Sequence, residues 1–235
     1  MSSVFKKEFK SFFTSPIGYC VLAVLFCISG LFFFLNNLSG GSGDLSGVFS
    51  SMYLVILLVL PILTMRIFSE EKRQKTDQAL LTSPVSLTGV VTGKFLAAFA
   101  VFFLGMLITI VYAVVVAVMI EPDWMLIIGS FLGTLLLGGT VIALGVMISS
   151  FTESQFVSAL LTIVITVLWM LVDSLSSVFA NSKVVQAVVE FLSLENRYSN
   201  FVMGTINYDD ILFFISMQAI FLFLTIRVLD RKRWN

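Results

Sequence analysis

The chain has 235 residues, of which 58% are hydrophobic and 12% are charged. A soluble domain contains about 45–50% apolar and about 25% charged residues, so this composition leaves almost no room for a soluble domain. The 14 basic and 14 acidic residues indicate no nucleic-acid partner, and the absence of histidine excludes His-dependent catalysis and His metal sites. We predict neither a catalytic residue nor a metal site.

Residues 1–16 predict an amphipathic helix at the membrane interface. Four phenylalanines follow the spacing of one helix face and three lysines flank that face, namely Phe5, Phe9, Phe12, Phe13, Lys6, Lys7 and Lys10. A helix with this pattern lies in the membrane plane, with its aromatic side chains at the acyl boundary. Ser15 and Pro16 break the helix, because proline cannot continue a helix interior.

Long uncharged apolar runs fill most of the remaining chain, and each is long enough to cross a bilayer as a helix. We predict six spans, at residues 17–35, 48–68, 95–120, 125–150, 155–178 and 211–229. Residues 179–210 are too polar for a single span, so we expect outer re-entrant helices or a small cap there. The predicted fold is an all-α integral membrane protein, with residues 1–235 forming one transmembrane domain.

The basic residues are distributed unevenly between the predicted loops. Twelve of the 14 Lys and Arg residues lie before residue 17, between residues 66 and 94, or after residue 226. The opposite side has only Lys183 and Arg197. Because cytoplasmic loops carry the excess of Lys and Arg, we predict that both termini and the charged stretch between the second and third spans are cytoplasmic.

That charged stretch predicts a short helix at residues 69–84. Ser69 can cap its start, and Glu70 and Glu71 lie in the first turn, where the helix dipole favours carboxylates. Pro84 ends it. Because such a helix is held at the membrane face, it can transmit a push from a soluble partner into the spans. The alternative interpretation is a solvated loop that only fixes the orientation of the chain.

The segment Gly89–Lys94 has a superficial similarity to a phosphate-binding loop. The P-loop motif needs four residues between its glycines and a Ser or Thr after the lysine. Here three residues separate Gly89 from Gly93, and Phe95 follows the lysine. We therefore predict that this chain binds no nucleotide and that any ATP is bound by another chain.

Two glycines near the start of the fourth span, Gly129 and Gly133, form a small-xxx-small pattern. Such a pattern lets two helices approach closely. It is compatible both with packing inside the chain and with packing between subunits.

Asp173 is the one carboxylate inside a predicted span, and it lies near the outer end. No predicted span carries a charged side chain at mid-depth. Ion-coupled carriers need such groups, so a secondary carrier is disfavoured. An intramembrane enzyme is disfavoured as well, because without histidine it needs a Ser/Lys or paired-Asp site within a span.

Several short motifs occur in the order that is typical of one transporter family. They are Ser15-Pro16 after the entry helix, Glu70-Glu71-Lys72, Thr76-Asp77, Leu80-Leu81, Pro84 and Gly93-Lys94 around the charged stretch, Gly145 and Ser149–Gln155 around the turn between the fourth and fifth spans, and Arg197-Tyr198, Gly204 and Asp210 before the last span. The chain resembles the permease subunit of ABC type-2 transporters, and most closely the gliding-motility-type permeases. One departure is Lys75, where the family usually has glycine.

The resemblance implies a permease subunit of an ATP-driven, export-type machine, without catalytic activity of its own. ATP and Mg²⁺ would bind to cytoplasmic ATPase subunits, and this chain would bind no cofactor. The implied ATPase-coupling residues are Glu70, Glu71, Lys72, Arg73, Thr76, Asp77, Leu80, Leu81 and Pro84, and the implied second cytoplasmic contact consists of Thr152, Glu153, Ser154 and Gln155.

The resemblance also implies further partners in the bacterial cytoplasmic membrane. A second permease subunit, identical or closely related, would complete the membrane part, and gliding-type systems tend to have an auxiliary membrane protein with a large outer domain. The permease would couple ATP hydrolysis on its partners to export-type transport or to mechanical work. The alternative function is a membrane anchor or scaffold of a multi-protein complex, which transports nothing.

Overall fold

The computed structural model describes residues 2–76, 86–119, 122–178 and 193–234. The backbone in these ranges is helical or in short turns and contains no strand, which confirms the predicted all-α fold. Several predicted features lie outside the described residues, namely Asp77, Leu80, Leu81, Pro84, positions 179–192 of the outer segment and the side chain of Asp173.

The described residues form ten helices in chain order. They are α1 (Ser2–Thr14), α2 (Pro16–Phe33), α3 (Ser46–Thr64), α4 (Ser69–Arg73), α5 (Leu87–Met106), α6 (Ile108–Met119), α7 (Trp124–Phe151), α8 (Gln155–Val178), α9 (Leu194–Val202) and α10 (Tyr208–Trp234). A π-helical turn, Phe34–Leu38, extends α2. Six helical stretches in the described chain are long and apolar enough to cross a membrane, as predicted. The protein is therefore a multi-pass membrane protein.

The second span leaves the α-helix at residues 65–68, so α3 and α4 are separated by a turn. Pro61 lies inside α3 and has no N–H to donate to the carbonyl of Leu57. The hydroxyl of Thr166 in α8 lies 3.4 Å from that carbonyl, but it is closer to the carbonyls of Thr162 and Ile163 in its own helix, at 3.0 and 2.9 Å. The Leu57 carbonyl therefore has a polar neighbour from another span, which shares its single proton among three acceptors.

The third span begins at Leu87, about two helical turns before its predicted start at residue 95. The hydroxyl of Ser86 accepts a hydrogen bond from the N–H of Gly89 at 3.3 Å and caps this helix. The predicted boundary was wrong because Lys94 was assigned to the flank of the span. In the structure Lys94 lies inside α5, and 1% of it is exposed.

The helix α7 lies at the centre of the bundle and is mostly buried, as is α3. Glycines mark the places where neighbouring helices press closest against it. A Cβ atom on Gly138 would lie 2.1 Å from the ring of Phe102 in α5, and one on Gly145 would lie 2.0 Å from the hydroxyl of Thr64 in α3. Larger residues at these two positions would push the third and second spans away from the core.

The predicted packing glycines, Gly129 and Gly133, lie against α9 of the same chain. A Cβ atom on Gly133 would stand 2.4 Å from Cβ of Phe201, and one on Gly129 would stand 3.0 Å from the Phe201 carbonyl oxygen. The helix α9 is held further by Tyr198, whose hydroxyl donates to the carbonyl of Phe49 at 2.7 Å. Burial raises the pKa of the Tyr198 phenol, which keeps its proton available for this bond.

A buried carboxylate joins α9 to the start of α10. Asp210 accepts hydrogen bonds from Arg197 at 2.8 Å, from Asn200 at 2.9 Å and from Asn207 at 3.3 Å. The described part of the predicted outer segment, residues 193–210, thus consists of α9, a turn and the start of α10, and it is anchored on the spans.

Candidate functional site

Four segments that are far apart in the sequence meet at the end of the bundle where most of the Lys and Arg residues lie. They are α1, the turn 65–68 together with α4, the first half of α5, and the turn 152–154 between α7 and α8. We call this region the charged end. The contacts within this region determine how α4 is connected to the spans.

The helix α1 packs against α5 through its aromatic face. Phe12 is buried in the protein, with 2% exposed, and Phe5, Phe9 and Phe13 are partly buried against the same core. The expectation that the aromatic face lies at the acyl boundary was therefore wrong for Phe12. The physical reason is that α5 starts earlier than predicted and offers an apolar surface to α1.

Lys94 is the buried centre of the charged end. Its ammonium donates to Oε1 of Glu8 at 3.0 Å, to the carbonyl of Ile67 at 2.9 Å and to Oε1 of Glu71 at 2.9 Å. The ring of Phe68 lies 5.1 Å from the same nitrogen, which is within cation–π range. A lysine has three N–H donors, and a buried charge is stable only with such partners. One atom therefore ties α1, α4 and α5 together.

The end of α7 is joined to the start of α4 by Ser149. Its hydroxyl oxygen accepts hydrogen bonds from the N–H groups of Phe68 at 3.0 Å and Ser69 at 3.1 Å, and it donates to the carbonyl of Met65 at 3.2 Å. The first N–H groups of a helix have no partner inside the helix. Ser149 supplies that partner from another span.

Ser69 was predicted to cap α4 with its own side chain, and that prediction was wrong. Phe68 occupies the capping position, and the Ser69 hydroxyl donates to the carbonyl of Met65. Glu70 and Glu71 do lie in the first turn of α4, as predicted.

Lys72 completes the contact between α4 and α7. It is 8% exposed, and its ammonium donates to the carbonyl of Ser150. The last carbonyls of a helix lack internal partners and favour a cation. Lys72 thus caps the end of α7, while Ser149 caps the start of α4. The buried Lys72 side chain offers little surface to a soluble partner, in contrast to the exposed Arg73.

The helix α4 ends at Arg73, although a longer helix was predicted. Lys75 has a φ angle of 56°, and the N–H groups of Lys75 and Thr76 donate to the carbonyls of Lys72 and Glu71 at 3.0 and 2.9 Å. This is the Schellman arrangement, which ends a helix with a left-handed residue. The left-handed region favours glycine, and this chain has lysine at that position.

A groove with a volume of about 430 Å³ separates α1 from α4. Lys7, Glu8 and Ser11 line it from α1, and Glu70, Glu71 and Gln74 line it from the other side. We call it the α1–α4 groove. It places carboxylates from two segments on facing walls.

Arg66 fastens α1 to the turn before α4. Its guanidinium donates to the carbonyl of Ser11 at 2.9 Å, to the hydroxyl of Ser11 at 3.0 Å and to the hydroxyl of Ser15 at 2.5 Å. It also lies 5.1 Å from the centre of the Phe12 ring. These contacts hold the Arg66 side chain against α1.

The second predicted contact segment is the turn between α7 and α8. Thr152, Glu153 and Ser154 form this turn, and Gln155 opens α8. Glu153 and Ser154 are exposed, and the serines that hold α4 lie in the last turn of α7 just before them. The two predicted contact segments therefore lie side by side.

Three residues of the charged end were not identified as site residues from the sequence: Glu8, Lys94 and Ser149. The partners Glu8 and Lys94 are 86 positions apart, so no local pattern connects them. A signal was available at Glu8, whose spacing from Phe5 and Phe12 places a carboxylate on the aromatic face of the helix. A charge on an apolar face indicates a buried partner.

The groups at the charged end hold helices together and offer no catalytic arrangement. In the described parts of the chain, no three His, Cys, Asp or Glu side chains converge where a metal ion could bind. The carboxylates of Glu8 and Glu71 are both engaged by Lys94. This arrangement can transmit a displacement of α4 to α1, α5 and α7.

Comparison with known proteins identifies the family. The family model described as ABC-2 family transporter protein matches residues 2–234, a range that includes all the helices given above. No curated protein matches the chain. Members of this family are membrane components that are not themselves catalytic, and they generally work with a cytoplasmic ATPase subunit. The chain therefore belongs to the ABC-2 transporter family and is a membrane permease of an ABC transporter.

Proposed function

We propose that this permease couples ATP hydrolysis on cytoplasmic ATPase subunits to export-type transport, or to mechanical work, across the bacterial inner membrane. The partners would hold ATP and Mg²⁺, and the charged end and both termini would face the cytoplasm. The observation that supports this proposal best is the attachment of α4, a helix of 5 residues, to several spans at once.

The attachments of α4 lead to different spans. Glu71 is bonded to Lys94 of α5, and Lys72 is bonded to the Ser150 carbonyl at the end of α7. The turn 65–68 connects α4 directly to α3. A short helix that is held in this way cannot move alone, so a push on α4 is shared with the second, third and fourth spans.

The strength of these attachments also supports a transmitting role. Hydrogen bonds between ionised groups are short and strong, and the bond between Lys94 and Glu71 measures 2.9 Å. Breaking a buried ion pair by removing one partner costs about 3–5 kcal/mol, whereas an exposed pair contributes about 0–1 kcal/mol. A buried link is therefore better suited to transmit force than a surface ion pair.

The exposed side chains next to α4 form the proposed contact surface for the ATPase. Arg73, Gln74 and Thr76 are exposed where α4 ends, and Glu153 and Ser154 are exposed in the neighbouring turn. Because the two segments are adjacent, one soluble partner can contact both at the same time.

The family resemblance supports two further partners. A second permease subunit, identical or closely related, would complete the membrane part. An auxiliary membrane protein with a large outer domain would join it if the assembly is of the gliding-motility type, as the sequence motifs predict.

The test is binding of the co-expressed ATPase to the purified permease, together with the rate of ATP hydrolysis. Reversing two exposed charges, Arg73→Glu with Glu153→Lys, should weaken the complex about tenfold, which corresponds to ~1.4 kcal/mol. Asp209→Lys changes an exposed carboxylate next to Asp210, away from the charged end, and should leave binding unchanged.

The outcomes separate the alternatives. Unchanged binding and hydrolysis in the double variant would show that the proposed contact surface is wrong. Failure of the wild-type permease to bind any ATPase would reject the coupling function itself. A membrane anchor would bind the ATPase without changing its rate of hydrolysis.

A further inference from the structure

We propose that α1 binds anionic phospholipids in the leaflet next to the charged end. The ammonium groups of Lys6 and Lys10 would bond to the lipid headgroups, and a neighbouring row of aromatic rings would contact the acyl chains. This inference goes beyond the proposed coupling function and does not depend on it, because it concerns the lipids around the permease and not the ATPase.

Four aromatic rings form a continuous row that leads from α1 to the first turn of α2. The ring centres of Phe5 and Phe9 are 5.7 Å apart, those of Phe9 and Phe13 are 5.1 Å apart, and those of Phe13 and Tyr19 are 5.6 Å apart. We call these four rings the aromatic row. The three phenylalanines are only partly buried against the core, so one edge of the row is left accessible.

Tyr19 shows at which depth of the membrane the aromatic row lies. It belongs to the first turn of α2, which begins the first of the membrane-crossing stretches, and 57% of it is exposed. Tyrosine is enriched at the membrane–water interface, because its ring contacts the apolar region while its hydroxyl reaches water. The aromatic row therefore lies where headgroups and acyl chains meet.

Two exposed cations follow the aromatic row along α1. Lys6 and Lys10 come directly after Phe5 and Phe9 in the sequence, and their spacing of four residues puts them on one side of the helix. In the described chain, neither lysine forms an ion pair with a carboxylate. The only carboxylate of α1 is that of Glu8, which is bonded to Lys94. Two uncompensated positive charges therefore lie at headgroup depth.

This combination of charge and apolar surface matches an anionic phospholipid. A helix with aromatic side chains beside lysines binds at the interface through its apolar area and through attraction to anionic lipids. A zwitterionic headgroup carries its own cation next to the phosphate and has no net charge to offer. The two lysines therefore favour a headgroup with a net negative charge.

The contacts of α1 with the bundle fix the direction in which the lysines face. Glu8 accepts from Lys94 at 3.0 Å, and the carbonyl of Ser11 accepts from Arg66 at 2.9 Å. At about 100° per residue, Glu8 lies about 160° from Lys10 around the helix. Because the opposite side of α1 is held in this way, lipid binding needs no rearrangement of the helix and should stabilise the charged end.

The first experiment measures thermal unfolding of the purified permease in dodecyl maltoside micelles, with added phosphatidylglycerol or, for comparison, the zwitterionic phosphatidylcholine. Phosphatidylglycerol should raise the unfolding temperature, because a ligand that binds only the folded state stabilises it. The lipid concentration that gives half of this rise should increase about fivefold in Lys6→Gln and in Lys10→Gln, which corresponds to ~1 kcal/mol for each lysine.

The matched control is Lys7→Gln, which removes the same charge from the same helix. Lys7 is exposed and lines the α1–α4 groove, and it lies about 160° from Phe5 around the helix. This variant should keep the wild-type lipid concentration. Equal effects of the three substitutions would overturn the inference, because only the net charge of α1 would then matter. An equal rise with both lipids would overturn it as well, since the headgroup would not be recognised.

A second experiment identifies the captured molecule directly and keeps both lysines in place. Benzoylphenylalanine at position 13 puts a photo-crosslinking group in the aromatic row of the permease, reconstituted in vesicles with equal amounts of the two lipids. Phosphatidylglycerol adducts should outnumber phosphatidylcholine adducts at least about fivefold, and the excess should disappear when Lys6→Gln and Lys10→Gln are combined.

The same probe at position 7 should capture little of either lipid, because that position faces the groove. Equal amounts of the two adducts at position 13 in the otherwise unchanged permease would contradict selection of an anionic headgroup. Capture of a second permease copy, or of another protein, in place of lipid at position 13 would show that the aromatic row is a protein interface and would also overturn the inference.

Discussion

The ammonium of Lys94 lies 2.9 Å from the carboxylate of Glu71, a residue 23 positions earlier in the chain. Glu8 approaches the same ammonium from α1 at 3.0 Å. The lysine is buried and the two carboxylates are partly accessible, so the cluster connects the protein interior with its charged surface. A permease that is driven by a soluble partner needs such a connection.

Replacing Lys94 by methionine should destabilise the protein strongly. The carboxylates of Glu8 and Glu71 would be left without a counterion, and the Ile67 carbonyl would lose its donor. We expect the free energy of unfolding to fall by about 3–5 kcal/mol, as measured by thermal or denaturant unfolding in detergent micelles.

The control for this change is Lys7→Met, which removes an exposed charge and should alter stability by less than about 0.5 kcal/mol. A triple variant with Lys94→Met, Glu8→Gln and Glu71→Gln should regain part of the loss, because no charge is then left unpaired. Equal stability of Lys94→Met and Lys7→Met would disprove the central role of Lys94.

Ser149→Ala should loosen the start of α4. The N–H groups of Phe68 and Ser69 would lose their acceptor, so we expect a cost of about 1–2 kcal/mol, typical of a lost helix cap. Hydrogen exchange at these two amides should become faster. Ser154→Ala, at an exposed serine in the adjacent turn, serves as the control, and similar exchange in both variants would count against capping by Ser149.

Lys75→Gly should stabilise the turn that ends α4. The left-handed conformation costs a residue with a side chain about 1–2 kcal/mol, and the larger entropy of glycine in the unfolded chain offsets part of the gain. We expect a net increase of about 0.5–1 kcal/mol in unfolding experiments. Gln74→Gly, one residue earlier in the right-handed region, should lower stability, and a loss in both variants would refute the Schellman assignment.

Gly133→Ala should disturb the packing of α7 against α9. The new Cβ atom would stand 2.4 Å from Cβ of Phe201, and such overpacking costs about 1–3 kcal/mol. Gly30→Ala is the matched control, because its Cβ atom would meet only the Tyr112 hydroxyl, at 3.4 Å. Unfolding temperatures that are equal in the two variants would show that α7 and α9 do not pack this closely.

The six spans were predictable because their signal is local. A lipid environment offers the backbone no hydrogen-bond partners, so each crossing segment needs an uncharged apolar run that satisfies its own backbone as a helix. The first turn of α4, with Glu70 and Glu71, was predictable for the same reason, since the preference of carboxylates for a helix start depends on neighbouring residues alone. The family motifs added Gly93-Lys94 but no partner for Lys94.

Only the tertiary structure decided which groups pair with the charged side chains of α4 and α5. Lys94 was placed outside its span because an unpaired charge in an apolar helix is costly, and the acceptors that remove this cost come from Glu8, 86 positions away, and from residues 67 and 71. The cap of α4 likewise comes from Ser149, 80 positions beyond the amide of Ser69. Apolar periodicity shows which face of a helix is buried, but the residues that meet that face are set by the packing of the spans.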